Sequence, residues 1–340
     1  MTVENSSTAP VILSVRDLDV KFNLRGRVLS AIRGISLDLY QGESLAIVGE
    51  SGSGKSVFTK TFMGLLDQNG VISGGSILYN GQDLAAFRTE KQWRSIRGRE
   101  IAMVLQDPMT SLNPLKTVGS QIGEAIAIHQ GLRGAALRAK VLECLSDVGI
   151  PDPEHRYKQY PHEFSGGMRQ RVVIAIAVAC RPKILICDEP TTALDVTIQA
   201  QILELMQELR QKMGMSIIMI THDLGVVASM CERIAVMYAG HIVEYGSTDE
   251  IFYHPSHEYT KGLIGSIPKL TTEESERLVP IEGQPVDLLN PPAGCPFAPR
   301  CRSCMKVCLR RMPPKTQLSD THYSYCWLRQ KEAAEGGERA

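Results

Sequence analysis

The sequence has no excess of charge of either sign and no long apolar run. Its 340 residues include 37 basic and 37 acidic side chains, so the formal net charge is +0. This balance argues against a dominant nucleic-acid-binding surface, because such surfaces concentrate lysine and arginine. The most apolar segment, residues 172–180, is far too short to span a bilayer, and residues 1–10 are polar and lack a secretory signal. We therefore expect a cytosolic protein, for which any membrane role must come through a partner.

Hydrophobic residues make up 43% of the chain, which is typical of a globular protein. Residues 49–56 match the phosphate-binding pattern G-x-x-x-x-G-K-[ST]. An apolar run at 44–48 predicts a buried strand before this loop, and helical spacing follows from Lys55 to Leu66. Glycines allow several backbone N–H groups to point at one polyphosphate. On this pattern alone, a coincidental glycine turn is the alternative. The candidate phosphate contacts are Gly49, Ser51, Gly52, Ser53, Gly54, Lys55 and Ser56.

Two of these side chains have specific expected roles. Lys55 should reach the β- and γ-phosphates of a nucleotide, and the Ser56 hydroxyl should bind Mg²⁺. Alternating apolar residues at 18–22 and 35–39 predict half-buried antiparallel strands ahead of the loop. Phe22 ends the first of these strands, where its ring either stacks on an adenine or belongs to the core. A further strand is predicted at 74–79, followed by an Asn-Gly turn.

Two carboxylates follow a buried apolar run at 184–187. Desolvating charge at the end of such a strand is costly unless a cation or a polar partner compensates it. With Mg²⁺ bound through Ser56 and water, Asp188 gains a role toward the ion, and Glu189 can polarise the attacking water.

Polar residues also follow two other predicted strands. The run at 101–105 leads into Gln106, which either contacts the metal or the attacking water or forms an ordinary turn before a proline. The run at 216–220 precedes His222, which either reaches a γ-phosphate or lies on the surface.

Ser165, Gly166 and Gly167 precede an apolar helical run and form a second candidate anion site, with an ordinary helix N-cap as the alternative. The pattern is helical from roughly 115 to 180, which indicates an all-helical insertion in an otherwise α/β chain.

The nine cysteines fall into two groups. Those outside the tail lie in apolar or helical contexts typical of buried thiols: Cys144, Cys180, Cys187 and Cys231. The others crowd near the C-terminus: Cys295, Cys301, Cys304, Cys308 and Cys326. In a cytosolic protein such a cluster favours a metal over disulfides. Four thiolates can hold tetrahedral Zn²⁺ or an iron–sulfur cluster, and plain thiols are the third possibility.

The order of these motifs resembles the nucleotide-binding subunit of an ABC transporter. The motifs are Walker A (49–56), Gln106, Ser165-Gly-Gly, Walker B (184–188) with Glu189, Asp195 and His222. Segments at 106–114, 160–171, 188–195 and 295–301 are similar to those of dipeptide/oligopeptide importer ATPases. Phe164 and Met168 depart from the general ABC signature but agree with this subfamily.

The resemblance implies an α/β fold: a P-loop NTPase (RecA-like) core with an antiparallel β subdomain and a helical subdomain at about 108–180. It further implies a nucleotide-binding domain at 12–255 and a small Cys-rich extension at 256–340. The polar residues at the start predict a disordered leader at 1–11.

The resemblance also implies an ATPase that powers peptide uptake from the cytoplasmic face of the membrane. Two such subunits pair head to tail, so that Ser165, Gly166 and Gly167 of one meet the Walker A loop of the other. The implied catalytic residues are Glu189, His222 and Gln106. ATP contacts extend to Phe22, Asp188 and Asp195, and the implied Mg²⁺ ligands are Ser56, Gln106 and Asp188.

The remaining implications concern the tail and the partners. A four-iron four-sulfur cluster would be held by Cys295, Cys301, Cys308 and Cys326, with zinc as the alternative and Cys304 as a spare. The expected partners are a second homologous ATPase, two transmembrane permeases and an extracytoplasmic peptide-binding protein, with no nucleic acid. Alternative cargoes are nickel and glutathione, and a non-transport ABC ATPase is the alternative class.

Overall fold

The computed structural model describes residues 9–106, 111–192, 194–266 and 280–330. Most of the predicted leader therefore lies outside the described residues. The chain divides into two compact units. The first unit comprises residues 1–12, 39–44 and 86–220, and the second comprises residues 13–38, 45–85 and 221–340.

The secondary structure follows the predicted apolar patterns closely. The strands are β1 (Val11–Leu24), β2 (Arg27–Tyr40), β3 (Ser44–Val48), β4 (Gly70–Tyr79), β5 (Gln82–Asp83), β6 (Ile101–Val104), β7 (Ile184–Asp188), β8 (Ser216–Ile220), β9 (Arg233–Tyr238), β10 (His241–Ser247), β11 (Thr316–Gln317) and β12 (Tyr323–Ser324). The α-helices are α1 (Lys55–Thr61), α2 (Glu90–Ile96), α3 (Val118–Gln130), α4 (Gly134–Asp147), α5 (Pro153–Arg156), α6 (Gly166–Val178), α7 (Val196–Met213), α8 (Leu224–Met230), α9 (Thr248–Tyr253) and α10 (Glu258–Gly265). Short 3₁₀ turns lie at Leu84–Ala86, Pro161–Glu163 and Ala298–Arg300.

The first unit is built on parallel strands covered by helices. β6 pairs in parallel with β7, and β7 pairs in parallel with β8. Every residue of β7 and β8 is buried, as expected for parallel strands whose two faces are both covered. Helices α3, α4, α5 and α6 occupy the stretch for which the sequence predicted a helical insertion.

The second unit contains an antiparallel sheet in the order β2-β1-β4-β5. The predicted turn between β4 and β5 is present, since Asn80 and Gly81 have φ angles of 46° and 77°. These left-handed angles suit the Asn-Gly pair of a tight hairpin. A further sheet in this unit joins β3 in parallel to β9 and continues through β10 to the short tail strands β12 and β11.

Helix α1 is shorter than its apolar spacing predicted. It ends at Thr61 rather than near Leu66, because the chain turns at Gly64, whose φ is +58°. Glycine adopts this left-handed angle without steric cost and so ends helices readily. Leu65 is 40% exposed as a result. Among the described residues, no helix is both long enough and apolar enough to cross a bilayer.

A buried carboxylate fastens the tail to the rest of the second unit. Glu244, in β10, is fully buried and accepts hydrogen bonds from the backbone N–H groups of Ser256 (2.6 Å) and His257 (2.8 Å). Nε2 of His322, just before β12, lies 2.8 Å from Oε1 of the same carboxylate. One buried group thus joins a strand, the approach to α10 and the tail.

Replacing Glu244 with Ala should lower the free energy of unfolding by about 3 kcal/mol, because it removes buried charge-assisted hydrogen bonds and leaves their donors unpaired. The control is Glu282→Ala, whose side chain is 78% exposed and should change stability by no more than ~0.5 kcal/mol. Urea denaturation of the full chain measures both. Equal unfolding midpoints for the two variants would contradict the proposed role of Glu244.

Candidate functional site

The glycines at the two ends of the loop between β3 and α1 are required by close backbone contacts. A Cβ at Gly49 would lie 2.2 Å from the carbonyl oxygen of Met237. A Cβ at Gly54, where φ is +99°, would lie 2.7 Å from the carbonyl oxygen of Ala31. No larger residue fits without moving a strand, so the sequence pattern and the packing impose the same residue type.

Lys55 points back over this loop. Its side chain is largely buried, and Nζ donates hydrogen bonds to the carbonyl oxygens of Gly49 (2.8 Å) and Glu50 (3.0 Å). The hydroxyl of Ser53 also donates to the carbonyl of Glu50, at 2.6 Å. The ammonium group is therefore fixed at the loop. Ser51 and Gly52 are exposed and Ser56 is half-buried at the start of α1.

His222 lies beside the same loop. It lines a pocket of about 260 Å³ together with Val48, Gly49 and Glu50, and the start of α8 closes another side. Asp223 caps α8, since its Oδ1 accepts from the backbone N–H of Gly225 at 2.9 Å. The structure thus brings His222 to residues 49–56, the phosphate loop, within the second unit.

In the first unit, Glu189 follows directly after β7. Its Oε2 accepts hydrogen bonds from Nε2 of Gln106 (2.9 Å) and from the hydroxyl of Thr192 (3.1 Å). Its φ is +49°, a strained angle for a residue with a side chain and one that is common at functional sites. Asp188, the last residue of β7, is 8% exposed. The structure therefore brings Gln106 to Glu189, which follows Asp188 directly in the sequence.

Ser165 caps helix α6, its hydroxyl accepting from the backbone N–H of Met168 at 3.4 Å. Ser165 and Gly166 are exposed. Gly167 has a packing reason, because a Cβ there would lie 2.6 Å from the side chain of Ile198 in α7. Asp195 is exposed just before α7. The Ser-Gly-Gly segment is thus an N-cap whose outer side is open.

Phe22 is 9% exposed, and its ring covers Gly70 on the neighbouring strand β4. A Cβ at Gly70 would lie 2.6 Å from the ring. The side chain is thus packed into the sheet, and its contact with adenine stays a prediction.

Four of the five tail cysteines line one small cavity of about 20 Å³: Cys295, Cys301, Cys308 and Cys326. Burial raises the pKa of the Cys295 thiol to about 12 and that of Cys301 to about 11, so a nearby cation is needed to hold them as thiolates. Cys304 is exposed. Four thiols suit a metal in number and type. In the described part of the chain, however, no three or more His, Cys, Asp or Glu side chains are grouped so that they could hold one ion. The predicted metal site is therefore not confirmed.

Comparisons with known proteins connect these features. A family model described as "ABC transporter" matches residues 32–192. A second, "Oligopeptide/dipeptide transporter, C-terminal region", matches residues 243–308. The chain is 55% identical over 323 residues to the dipeptide transport ATP-binding protein DppD of Bacillus subtilis, covering 95% of this chain and 96% of that protein. The chain belongs to the ATP-binding subunits of ABC transporters, in their oligopeptide/dipeptide branch. It is an ABC-type ATPase.

Further matches agree with this assignment. The oligopeptide transport ATP-binding protein OppD of Salmonella typhimurium is 47% identical, with 95% of this chain and 97% of that protein covered. Among solved structures, cbiO1 from Clostridium perfringens, part of the ABC transporter complex cbiONQ, gives a TM-score of 0.62 at 31% identity and covers 72% of this chain and 91% of its own. The cassette MJ0796 bound to ADP and Pi gives 0.62 at 26% identity, covering 69% and 98%. The predicted P-loop NTPase fold is confirmed.

Sequence reasoning missed two kinds of site residue. Thr192, which donates to Glu189, lies within the segment 188–195 that carried the family resemblance but had no role assigned. Tyr259 and Arg300 contact Glu50 in the phosphate loop. No local signal marks the last two, because their contacts to the loop are distant in sequence.

Replacing Lys55 with Ala should weaken ATP binding by on the order of tenfold or more, since a charge-assisted contact to phosphate is lost. Lys60→Ala, in the last turn of the same helix, is the matched control and should bind ATP normally. Equilibrium titration with a fluorescent ATP analogue gives both affinities, and circular dichroism checks the fold. Normal binding by the Lys55 variant would refute the loop assignment.

Proposed function

We propose that this ATPase powers the uptake of dipeptides and oligopeptides by an ABC importer. The observation that carries the proposal is that one chain matches both the ABC family model and the C-terminal region of oligopeptide/dipeptide transporters. The same matches disfavour a non-transport ABC ATPase. We retain the division into a nucleotide-binding domain at 12–255, with a helical subdomain at about 108–180, and an extension at 256–340 as part of this proposal.

The phosphate loop is proposed to bind the nucleotide. Its exposed backbone at Ser51 and Gly52, the fixed ammonium of Lys55 and the hydroxyl of Ser56 suit a polyphosphate with Mg²⁺. In the first unit, Asp188 and Gln106 carry oxygen donors of the kind that would hold Mg²⁺. When bound, the metal neutralises charge that develops on the phosphates.

Glu189 is proposed as the residue that activates the attacking water. The hydrogen bonds from Gln106 and Thr192 occupy one carboxylate oxygen, Oε2. They fix the direction of the carboxylate, which helps to place the general base. His222 is proposed to contact the γ-phosphate, which its position beside the phosphate loop supports.

A second nucleotide-binding subunit is the proposed partner in hydrolysis. Ser165 and Gly166 expose the N-terminal end of α6, a 13-residue helix whose positive end favours an anion. In the family arrangement, this anion is the nucleotide bound by the other subunit. We propose a different but homologous ATPase in that position, two permeases in the membrane and an extracytoplasmic peptide-binding protein. The chain would then act at the cytoplasmic face as a peripheral subunit.

The four tail cysteines that line the cavity, Cys295, Cys301, Cys308 and Cys326, are proposed to bind a four-iron four-sulfur cluster, with zinc as the alternative. Their position around one cavity supports a shared ligand, and four thiols form a complete donor set for either group. Cys304 does not line the cavity and is left out of the set. The proposed role is structural.

Replacing Glu189 with Gln should abolish peptide uptake while the transporter still assembles. ATP binding needs no general base, whereas ATP hydrolysis does. The source strain lacking this gene is complemented with wild type, Glu189→Gln or the control Glu208→Gln, which lies on the exposed side of α7. Uptake of a labelled dipeptide is measured first alone and then in the presence of excess unlabelled peptide, nickel or glutathione. Uptake equal to wild type in the Glu189 variant would contradict its role.

The same assay decides the cargo. Loss of dipeptide uptake in the deletion strain, restored by the wild-type gene and blocked only by peptides, supports the peptide importer. A deletion strain that takes up peptides normally but fails to accumulate nickel or glutathione would replace the peptide assignment with that solute.

Replacing Cys301 with Ser should release the bound metal, because one ligand of four is lost. Cys304→Ser is the control, since this side chain is exposed and lies outside the cavity. Iron, sulfide and zinc are measured on protein purified without oxygen. Zinc without iron would select the alternative, and metal-free wild-type protein would refute the metal proposal.

A further inference from the structure

Arg300 of the tail is inserted against the phosphate loop. Its side chain is 3% exposed and forms a bidentate ion pair with the carboxylate of Glu50, the second residue of the loop, at 2.5 Å and 2.9 Å. The remaining donors of the guanidinium reach the hydroxyl of Tyr238 and the carbonyl oxygens of Ile281 and Glu282. All of its N–H groups therefore have acceptors, and its orientation is fixed from several sides.

The same segment carries the cysteine cavity. Arg300 ends the 3₁₀ turn Ala298–Arg300, and the next residue, Cys301, lines the cavity. Phe297, also at the cavity, packs its ring against the rings of Tyr238 and Tyr259. The guanidinium lies 5.9 Å from the centroid of the Phe297 ring. A change in the position of Cys301 or Phe297 at the cavity would therefore also move Arg300.

Glu50 is held at its backbone as well. Its N–H donates to the hydroxyl of Tyr259 at 2.8 Å, and its carbonyl accepts from Lys55 and Ser53. The guanidinium of Arg300 is charged at every physiological pH. The conformation of the loop at this residue depends on side chains from the tail.

A carboxylate in a phosphate-binding loop has an electrostatic cost. Glu50 adds a negative charge where a polyanion is expected to bind, and like charges a few ångströms apart repel strongly in a partly desolvated site. The bidentate guanidinium cancels that charge and holds the carboxylate in one direction. Without Arg300 the carboxylate would be unpaired and free to turn toward the nucleotide.

We propose that Arg300 is a positioning residue of the nucleotide site: by neutralising and fixing Glu50, it makes the affinity of the phosphate loop for ATP depend on the Cys-rich tail. This inference rests on the proposed function, since it takes the loop to be the ATP site. It assigns the tail a role in setting ATP affinity, in addition to the structural role proposed for its cysteines.

The test is a double-variant cycle in the full chain. Arg300→Ala should weaken the binding of MgATP by on the order of tenfold or more, as a charge-assisted pair is broken and a carboxylate left unpaired. Glu50→Gln should bind MgATP more tightly than Arg300→Ala, because the amide removes the carboxylate charge that the alanine variant leaves unpaired. The combined Glu50→Gln/Arg300→Ala variant should regain most of the affinity lost in Arg300→Ala. Arg302→Ala, whose side chain is 72% exposed, is the control and should match wild type.

Binding is measured by titration calorimetry with MgATP, and thermal unfolding is recorded with and without nucleotide. A purely structural role would lower the unfolding temperature of Arg300→Ala without nucleotide and leave the nucleotide-induced rise unchanged. A positioning role reduces that rise. Arg300→Lys, which keeps the charge but loses the bidentate geometry, should fall between wild type and Arg300→Ala and serves if the alanine variant fails to fold.

The outcomes separate this inference from the function on which it rests. Wild-type affinity in Arg300→Ala, or a combined variant that binds no better than Arg300→Ala alone, would overturn the role of Arg300 while leaving the ATPase assignment intact. Failure of the wild-type chain to bind MgATP at all would instead refute the assignment of the phosphate loop.

Discussion

The close approach of the phosphate loop to two neighbouring strands is the constraint on which the proposed nucleotide site depends. Gly49 touches the backbone of Met237 and Gly54 that of Ala31, so the loop has no room for any Cβ at either end. This contact fixes the start of α1 and thereby the position of Lys55. Because protein interiors are close-packed, a shift of either strand would be transmitted directly to the loop. The position of the phosphate loop in the second unit therefore depends on these two backbone contacts.

The tail belongs to the same packing arrangement. Glu244 pins the segment before β12 through His322, and Arg300 reaches the loop through Glu50. Both contacts pair a carboxylate with a largely buried basic side chain, and such groups are costly to separate once buried. The segment matched by the second family model, residues 243–308, therefore contributes a side chain, Arg300, to the loop at 49–56.

The first unit has a different character, since its site residues stand at the ends of stiff parallel strands and helices. Glu189 carries a strained backbone angle and two side-chain hydrogen bonds, whereas Ser165 and Gly166 are open. A carboxylate fixed in direction suits chemistry, and an exposed helix terminus suits a partner. The first unit thus combines a carboxylate held in one direction with a helix N-terminus that is open to a partner.

The sequence alone determined the features that depend on local residue types at fixed spacing. The loop at 49–56, the buried strands β3, β7 and β8, the turn at Asn80, and the Ser-Gly-Gly cap all follow from backbone preferences and apolar periodicity, and the motif order indicated the family. The overrun of α1 past Thr61 shows the limit of periodicity, because Gly64 ended the helix while the apolar spacing continued. Tertiary structure alone decided which distant residues meet. Arg300 pairs with Glu50 across a separation of 250 positions, and Gln106 meets Glu189 across 83 positions, because such contacts depend on how each unit packs internally and leave no periodic trace in the chain.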